Sequence, residues 1–264
     1  MNTYTAFQSR VVITGAGGGL GRALALTFAR HGWKIGICDV NNNALEDTAI
    51  QIADLGVSVL AQECDVTSDS DIDQLRDACL REWGGIDVII NNAGIASMGA
   101  IHKEPLNRWQ RLIDINLMGV VRGCKTFVPH LKEQGGGHIV NIASIAGIAN
   151  TPFMAAYNAT KAAVISLSET LQSELKSSNI GVTVVCPAMF KTGIAEGSDI
   201  DNPKLKSALE DAMEKSPISA DDIALQVYRA VERKQFLLIP HRLSRWQWRL
   251  KRLSPSLCRR VLFG

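Results

Sequence analysis

The stretch Thr14-Gly15-Ala16-Gly17-Gly18-Gly19-Leu20-Gly21 decides the fold of this chain. It follows the β-branched run Arg10–Thr14, which predicts a buried strand, and precedes a helical pattern near Arg22–His31. Glycine adopts backbone angles that other residues avoid, and it lets a pyrophosphate approach the main chain. The following helix offers free N–H groups and a positive dipole end to the phosphates. A plain glycine-rich turn is the alternative, but the position between strand and helix favours a dinucleotide site.

The end of the second predicted strand, Lys34–Asp39, bears on the choice of dinucleotide. Asp39 stands about twenty residues beyond the glycine turn, where a carboxylate accepts hydrogen bonds from the adenosine ribose and repels a 2′-phosphate. No Arg or Lys occurs at Gly17, Gly18 or Val40–Asn43 to bind such a phosphate. We therefore expect NAD as the cofactor, with NADP possible; a structural loop aspartate is the alternative.

Strands and helices continue to alternate as far as residue 239. Short apolar strands, each followed by a helix, are typical of a parallel sheet covered on both faces. We predict one α/β domain over residues 1–240, a doubly wound parallel sheet of about seven strands with helices on both faces. The further predicted strands are Ser58–Glu63, Val88–Asn91, His138–Ala143, Gly181–Cys186 and Phe236–Ile239, and the further helices are Asn43–Leu55, Asp69–Trp83, Arg108–Pro129, Tyr157–Lys176 and Ala220–Arg233.

Charge and composition exclude several classes of protein. The 264 residues carry a formal net charge of +2, too small to indicate nucleic acid as a partner. The six cysteines form no CxxC pair and the five histidines show no metal spacing, so we expect free thiols and no metal site. The N-terminal MNTYTAFQSR has no apolar h-region, and no apolar run approaches the ~18 residues of a membrane span. We expect a cytoplasmic protein with a small-molecule substrate.

Further motifs give the chain a resemblance to the short-chain dehydrogenase/reductase family over residues 10–240. The glycine turn fits TGxxxGxG, Asn91-Asn92-Ala93-Gly94 matches NNAG, and Tyr157-x-x-x-Lys161 matches YxxxK. The resemblance implies a Rossmann-type fold and hydride transfer between NAD(P) and a carbinol or carbonyl carbon. It also implies a homodimer or homotetramer assembled through the helices that carry Asn116 and Tyr157.

The resemblance and the glycine turn together indicate the residues that bind the cofactor. Asp65 and the Val66 backbone would contact the adenine, while Pro187 and Thr192 would contact the nicotinamide carboxamide. Ala188 departs from the family, which usually has glycine after that proline. The full predicted cofactor set is Gly15, Gly19, Leu20, Gly21, Asp39, Asp65, Val66, Asn92, Ala93, Gly94, Tyr157, Lys161, Pro187 and Thr192.

Four residues match the family's catalytic tetrad: Asn116, Ser144, Tyr157 and Lys161. A free phenol has a pKa near ~10, and we expect the charge of Lys161, on the same helix face, to lower the pKa of Tyr157. The positive charge of the oxidised nicotinamide would act in the same direction. Tyr157 would then be the general acid/base, and Ser144 would donate a hydrogen bond to the substrate oxygen. The resemblance gives Asn116 a water that links Lys161 to solvent. A solvated Tyr–Lys pair, a turn-capping serine and a buried amide are the alternatives.

The substrate pocket is predicted at the carboxyl ends of the strands, and its candidate lining is apolar. This favours a hydrophobic secondary alcohol or ketone. Residues 193–216 have many charges and little firm periodicity, and they occupy the place of the family's substrate lid; a variable surface loop is the alternative. The pocket candidates are Ile95, Ala96, Ile145, Ala149, Phe153, Met154 and Met189.

Residues 241–264 form a basic tail. They hold seven Arg or Lys and no acidic residue, which leaves the preceding 240 residues with a formal charge of −5. An apolar stripe and a basic stripe recur there at helical spacing, and Pro255 interrupts late. We favour packing on the chain's own domain or on another subunit, and contact with an anionic membrane surface is the alternative. The apolar stripe is Leu243, Trp246, Leu250, Leu253 and Leu257, and the basic stripe is Arg242, Arg245, Arg249 and Arg252.

Two other functions remain open at this point. A dinucleotide-binding protein without turnover, such as a redox sensor or a scaffold, often lacks catalytic groups that this chain has. An epimerase or dehydratase can use the same tetrad with a tightly held cofactor. Consumption of cofactor with a trial alcohol separates the second from a dehydrogenase. The substrate itself does not follow from kinship of fold.

Overall fold

A seven-stranded parallel sheet forms the centre of the protein. The structure is a computed structural model and describes residues 9–192, 199–200 and 203–263. The strands in chain order are β1 (Arg10–Thr14), β2 (Lys34–Asp39), β3 (Val59–Glu63), β4 (Val88–Asn91), β5 (Ser97–Met98), β6 (Gly137–Ile142), β7 (Ile180–Val185), β8 (Asp199–Ile200) and β9 (Leu237–Leu238). The main sheet has the order β3-β2-β1-β4-β6-β7-β9, and β5 pairs with β8 in a small second sheet. The strand order reverses between β1 and β4, which is where ligands bind in such sheets. The predicted doubly wound fold is confirmed.

Helices pack against both faces of the main sheet. Successive side chains of β1 point to opposite sides, so that Val11 and Ile13 enter one core and Val12 enters the other. The predicted strand bounds agree with the observed bounds to within one residue. Short runs rich in apolar residues were therefore sufficient to locate the seven strands of the main sheet.

The helices cover the sheet in two layers. They are α1 (Gly19–Arg30), α2 (Asn42–Ala53), α3 (Asp69–Trp83), α4 (Leu106–Ile113), α5 (Gly119–Glu133), α6 (Ala146–Ala149), α7 (Ala155–Glu174), α8 (Pro203–Glu214), α9 (Ala220–Glu232), α10 (Arg242–Leu253) and α11 (Pro255–Phe263). The first core contains residues of α1, α2 and α9, and the second contains residues of α3, α5 and α7. A 3₁₀ turn, Lys176–Ser178, follows α7.

The predicted helix Arg108–Pro129 differs from the observed structure in its middle. A π-helical turn, Asp114–Met118, separates α4 from α5, and α5 continues past Pro129. One extra residue per turn is not visible in apolar spacing, and such π turns often occur at functional positions. The turn carries Asn116, whose side chain is completely buried.

The predicted lid is more regular than its sequence indicates. The expectation of little periodicity in residues 193–216 is wrong for α8, because Leu209 and Met213 bury one helical face four residues apart. Both side chains pack in a small apolar cluster that includes Met154 and Tyr157. Residues 193–198 and 201–202 of the predicted lid, and residues 1–8 of the N-terminal stretch, lie outside the described residues.

The tail is helical, as its spacing predicts. α10 packs on the domain, and the Lys251 ammonium donates a hydrogen bond to the carbonyl of Ile148 in α6. The apolar stripe does not make this contact, since the buried residues in the described part of the tail are His241, Ser244 and Cys258. Among the described residues, the helices lack the combination of length and apolarity that crossing a bilayer requires.

Candidate active site

The glycine turn leaves room for a ligand at the start of α1. Gly15 and Gly19 have positive φ angles of 66° and 52°, which disfavour any residue with a side chain. A Cβ on Gly21 would lie 2.0 Å from the Gly15 carbonyl oxygen, whereas a Cβ on Gly18 would meet nothing within 4 Å in the described structure. Gly18 precedes α1 and brings no side-chain cap to it in the described chain. The first amides of α1 therefore suit the phosphates of a dinucleotide, as predicted for Leu20 and its neighbours.

Asp39 lies at the carboxyl end of β2 beside this turn. Its carboxylate accepts hydrogen bonds from the Gly17 amide, at 2.9 Å, and from the Asn41 amide, at 3.0 Å. The carboxylate is thus held next to the glycine turn, in the position that a ribose-binding residue requires. Asp39 also has the structural role that was the alternative prediction, because the same carboxylate oxygens hold the glycine turn in place.

Arg22 is a residue at this end of the site that the sequence reasoning missed. Its guanidinium donates to the Gly17 carbonyl, to the Thr48 hydroxyl at 2.8 Å, and to the Ala44 carbonyl at 3.2 Å. Arg22 lies outside the positions Gly17, Gly18 and Val40–Asn43 where a cation is expected, but one turn of α1 brings it back over the glycine turn. A half-buried cation and the Asp39 carboxylate therefore both bind the backbone of Gly17.

The NNAG segment connects the glycine turn to the centre of the sheet. The Asn92 side chain donates to the carbonyls of Thr14 and Gly15, both at 2.9 Å. The Thr14 hydroxyl accepts from the Asn92 and Ala93 amides at 3.0 and 3.1 Å. These bonds hold the loop after β4 against the loop after β1, which brings the predicted cofactor residues of both loops together.

The remaining predicted cofactor residues lie on loops at the same edge. Asp65 is exposed and accepts from the Thr67 amide at 2.8 Å, while Val66 is buried. The Pro187 carbonyl accepts from the Ile145 amide at 2.9 Å. Thr192 is half-buried at the end of a described segment.

Tyr157 and Ser144 meet in a buried position. Tyr157 lies in the first turns of α7 and Ser144 follows β6, and they are both 8% exposed. Burial raises the pKa of Tyr157 above its usual value, while a hydrogen bond with Ser144 lowers it in part. The Ser144 hydroxyl also accepts from the Ala146 amide at 3.1 Å and lies 3.4 Å from the Pro187 carbonyl. The serine is therefore both a turn cap and a partner of the tyrosine.

Lys161 lies one helical turn after Tyr157 and is 3% exposed. Its ammonium donates to the Ile142 carbonyl at 2.9 Å and lies 5.8 Å from the centre of the Tyr157 ring. Burial lowers the pKa of Lys161 from 10.5 to about 8. The expected lowering of the Tyr157 pKa by Lys161 is not the dominant effect, because desolvation of the phenol outweighs the hydrogen bond that favours the phenolate. The exposed Tyr–Lys pair that was the alternative is excluded by the burial of both side chains.

Asn116 uses its amide to hold the segment after β4. Its oxygen accepts from the Ile95 amide at 2.8 Å, and its nitrogen donates to the Ile95 carbonyl at 2.9 Å. A Cβ on Gly94 would lie 3.1 Å from this oxygen and 3.4 Å from the Lys161 nitrogen. A side chain at Gly94 would therefore crowd both Asn116 and Lys161.

The family model for short chain dehydrogenases matches residues 9–202. The chain belongs to the short-chain dehydrogenase/reductase family. It is therefore an NAD(P)-dependent oxidoreductase, as the resemblance predicts.

Relatives of known name or structure agree with this assignment. A short chain dehydrogenase/reductase from Burkholderia phymatum, in complex with NAD, superposes with a TM-score of 0.90 and 31% identity, covering 97% of this chain and 96% of the other. An alcohol dehydrogenase from Thermococcus sibiricus, complexed with 5-hydroxy-NADP, gives a TM-score of 0.77 and 26% identity over 88% and 95% of the two chains. The probable oxidoreductase EphD of Mycobacterium tuberculosis is 37% identical over 194 residues, which is 73% of this chain and 33% of EphD. This dehydrogenase/reductase thus matches only about a third of that longer relative.

The predicted pocket residues of this dehydrogenase/reductase lie in different surroundings. Met154 is buried against Tyr157 and Ala96 in one apolar cluster, and Ile145 is half-buried. Phe153 and Met189 are 54% and 38% exposed. The structure therefore brings the buried members to the tyrosine and leaves the exposed two at the surface.

His241 is a second residue that the sequence reasoning did not assign to the site. Its Nδ1 accepts a hydrogen bond from the Ala188 amide at 3.2 Å, and the ring is buried. It thus holds the loop after β7 that carries Pro187. The expectation that the histidines are structural is consistent with this contact, which lacks any sequence signal. No metal-binding cluster occurs among the residues that the structure describes.

Proposed function

We propose that this enzyme transfers a hydride between NAD(P) and the carbinol or carbonyl carbon of a hydrophobic secondary alcohol or ketone, with Tyr157 as the general acid/base. The observation that carries the proposal is the burial of Tyr157, Ser144 and Lys161 at one edge of the sheet, with the Lys161 ammonium 5.8 Å from the centre of the Tyr157 ring. The catalytic tetrad thereby occupies one edge of the sheet together with the glycine turn. A bound nicotinamide supplies the hydride chemistry, and the protein has to position the substrate and move one proton.

Tyr157 exchanges the proton with the substrate oxygen. Burial raises the pKa of the free phenol, so the protonated form dominates near neutral pH and can donate to a carbonyl oxygen. In the opposite direction, the phenolate must accept the carbinol proton. The ammonium of Lys161 and the positive charge of an oxidised cofactor both favour that phenolate.

Ser144 stabilises the charge that develops on the substrate oxygen. Its hydroxyl already accepts from the Ala146 amide, which occupies one lone pair of the oxygen and leaves the hydroxyl proton for donation. The bond to the Pro187 carbonyl is long, at 3.4 Å, and can be exchanged for one to the substrate. A donor that is fixed before the reaction begins is the arrangement that stabilises an oxyanion.

Lys161 and Asn116 supply the route by which the proton reaches solvent. The pKa of Lys161, lowered to about 8, lets its ammonium exchange a proton near neutral pH. The family resemblance places a water between these two side chains, which both lie beside Gly94, in this role. The amide of Asn116 also holds the Ile95 backbone.

NAD is the preferred cofactor in this proposal. The Asp39 carboxylate beside Gly17 favours ribose hydroxyls over a 2′-phosphate. The Arg22 guanidinium is engaged by three acceptors, so it is not arranged to receive a phosphate group. Asp65, Val66, Pro187 and Thr192 keep the roles that the family resemblance assigns to them.

The substrate lies against the apolar cluster around Tyr157. Met154, Leu209 and Met213 contribute buried side chains there, which favours a hydrophobic group on the substrate carbon. The helix α8 belongs to the predicted lid, and its closure over the substrate would exclude water. Assembly through the helices that carry Asn116 and Tyr157, as a dimer or a tetramer, stays a prediction. So does a cytoplasmic location, which is supported by six buried free thiols within the described ranges.

The substitution Tyr157→Phe tests the proposal. It removes one hydroxyl, so turnover should fall by at least ~10²-fold, the typical contribution of a general acid/base, while NAD(H) affinity is kept. Turnover is followed by absorbance of reduced nicotinamide over a panel of hydrophobic secondary alcohols and ketones, and affinity by calorimetry. The matched control is Tyr228→Phe, because Tyr228 lies on α9 and donates to Glu232.

Three outcomes would redirect the proposal. Unchanged turnover in Tyr157→Phe would remove the tyrosine from the mechanism. Product formation without net consumption of cofactor would indicate an epimerase or dehydratase instead. Cofactor binding without turnover on any substrate would favour the non-catalytic alternative.

A further inference from the structure

The basic tail presents an apolar face to solvent. Trp246 is 49% exposed and Leu253 is 85% exposed, and both lie on the same side of α10 as Leu243. The face continues into α11. Its exposed large apolar side chains are Leu243, Trp246, Leu253, Leu257 and Val261.

This face is exposed because the opposite side of α10 is packed on the domain. Ser244 is buried, Trp248 packs against the second core, and Lys251 donates to the Ile148 carbonyl. Cys258 in α11 is also buried, and its thiol donates to the Gln247 carbonyl at 3.7 Å. The tail is therefore anchored in one orientation, and it cannot turn its leucines inward without breaking these contacts.

Cations border the apolar face along its length. Arg242, Arg245 and Arg249 are exposed on the adjacent side of α10, and Arg252 stacks over Trp248 at 5.3 Å. The tail has seven cations and no acidic side chain, while the rest of the chain has a formal charge of −5. An apolar face beside a one-sign basic stripe is the pattern of helices that lie in the interface of a membrane.

We propose that the apolar face of α10 and α11 docks on an anionic phospholipid surface. The leucines and Trp246 would enter the boundary between headgroups and acyl chains, and the arginines would reach the lipid phosphates. Charge decides between this occupant and a second copy of the tail. A two-fold contact of two tails would oppose two sets of seven cations with no carboxylate between them, whereas anionic lipid complements both stripes.

The docked tail would lie close to the candidate active site. α10 begins after His241, which holds the Ala188 amide, and Lys251 holds the carbonyl of Ile148. These two segments follow β7 and β6 at the sheet edge that carries Ser144 and Tyr157. This consequence, unlike the docking itself, rests on the proposed function: an apolar substrate dissolved in the bilayer would be close to the edge where the reaction occurs.

Vesicle sedimentation of the full chain tests the proposal without any need for turnover. Vesicles of phosphatidylcholine with phosphatidylglycerol are compared with vesicles of phosphatidylcholine alone. The chain should pellet with the anionic vesicles and be released by high salt. Trp246→Ser with Leu253→Ser should weaken the partitioning at least ~tenfold, since both side chains lose apolar burial. Arg245→Gln with Arg249→Gln should weaken it about thirtyfold, because each cation near an anionic surface contributes to binding.

Matched controls remove the same chemistry from the rest of the surface. Ile50→Ser removes an apolar side chain on α2 that is 61% exposed, and Arg30→Gln with Arg81→Gln removes two exposed cations. These variants should pellet like the unaltered chain. Thermal unfolding midpoints of the tail variants, matched to the controls, show that the fold is kept.

Several results would overturn the proposal. Equal pelleting of the tail variants and the controls would mean that other surfaces bind lipid. No pelleting of the unaltered chain at low salt would exclude lipid as the occupant. A tail-dependent change in mass by light scattering, without tail-dependent pelleting, would assign the face to subunit contact instead.

Discussion

The buried ammonium of Lys161 should destabilise the protein in a manner that depends on pH. Burial lowers its pKa from 10.5 to about 8. One pKa unit corresponds to about 1.36 kcal/mol, so charging this lysine in the folded state costs about 3 kcal/mol at pH 7. The substitution Lys161→Met keeps the length of the side chain and removes the charge. It also leaves the Ile142 carbonyl without its partner, which costs about 1–3 kcal/mol at any pH.

The sign of the pH dependence follows from proton binding. Between pH 8 and 10.5 the unfolded lysine holds its proton and the folded lysine has lost it, so the stability of the unaltered chain rises with pH. The cost is fully present below pH 8 and is relieved as the pH rises towards 10.5. From pH 7 to pH 9.5, the unaltered chain should gain about 2 kcal/mol relative to Lys161→Met.

Urea unfolding followed by circular dichroism, at pH 7 and at pH 9.5 without cofactor, measures this difference. Comparing two variants at each pH cancels the titration of all other groups. The matched control is Lys103→Met, which removes an exposed lysine. A stability difference between the unaltered chain and Lys161→Met that is the same at both pH values would refute the reasoning. If the pH dependence is as expected and Lys161→Met also loses turnover, the buried charge is retained for catalysis in spite of its cost in stability.

Two further predictions concern the cofactor end of the site. Asp39→Ala should weaken NAD binding about 10- to 100-fold without weakening NADP binding, because it removes a charged acceptor for the ribose; calorimetry with both cofactors measures this, and Asp47→Ala on α2 is the control. Equal losses for both cofactors would show that the carboxylate only holds the Gly17 amide. Gly21→Ala should lower the free energy of unfolding by more than ~2 kcal/mol, since its methyl group would lie 2.0 Å from the Gly15 carbonyl. Gly18→Ala enters open space within the described structure and should unfold at the same urea concentration as the unaltered chain, so equal midpoints for both variants would contradict the geometry.

The amino-acid sequence was sufficient for the parts of the protein that depend on local pattern. The alternation of short apolar strands and amphipathic helices determined the sheet, because strand and helix periods are visible over a few residues. The glycine turn determined the position of the dinucleotide end, because Gly15 needs a positive φ angle and Gly21 has no room for a side chain. Tyr157 and Lys161 were identified through the family motif YxxxK together with Ser144, because their spacing on one helix does not by itself distinguish them from a solvated pair.

Contacts between residues far apart in sequence determined features that the local sequence pattern could not predict. The π turn around Asn116 forms against the Ile95 backbone, 21 residues away, and the contact of Arg22 with Thr48 joins two separate helices. The pKa of Tyr157 is raised and that of Lys161 is lowered because the fold removes water from both, which neighbouring residues in sequence do not report.

The tail shows the same limit. Its periodicity determined that it is helical, but the side of α10 that packs on the domain is the one that carries Ser244, Trp248 and Lys251, whose ammonium donates to the Ile148 carbonyl. The most apolar side stays exposed for that reason, and helical spacing alone favours the opposite arrangement. Local sequence therefore determined the strands, the helices and the types of residue at the candidate site. Tertiary packing decided the pKa values of those residues and which surfaces stay exposed to solvent.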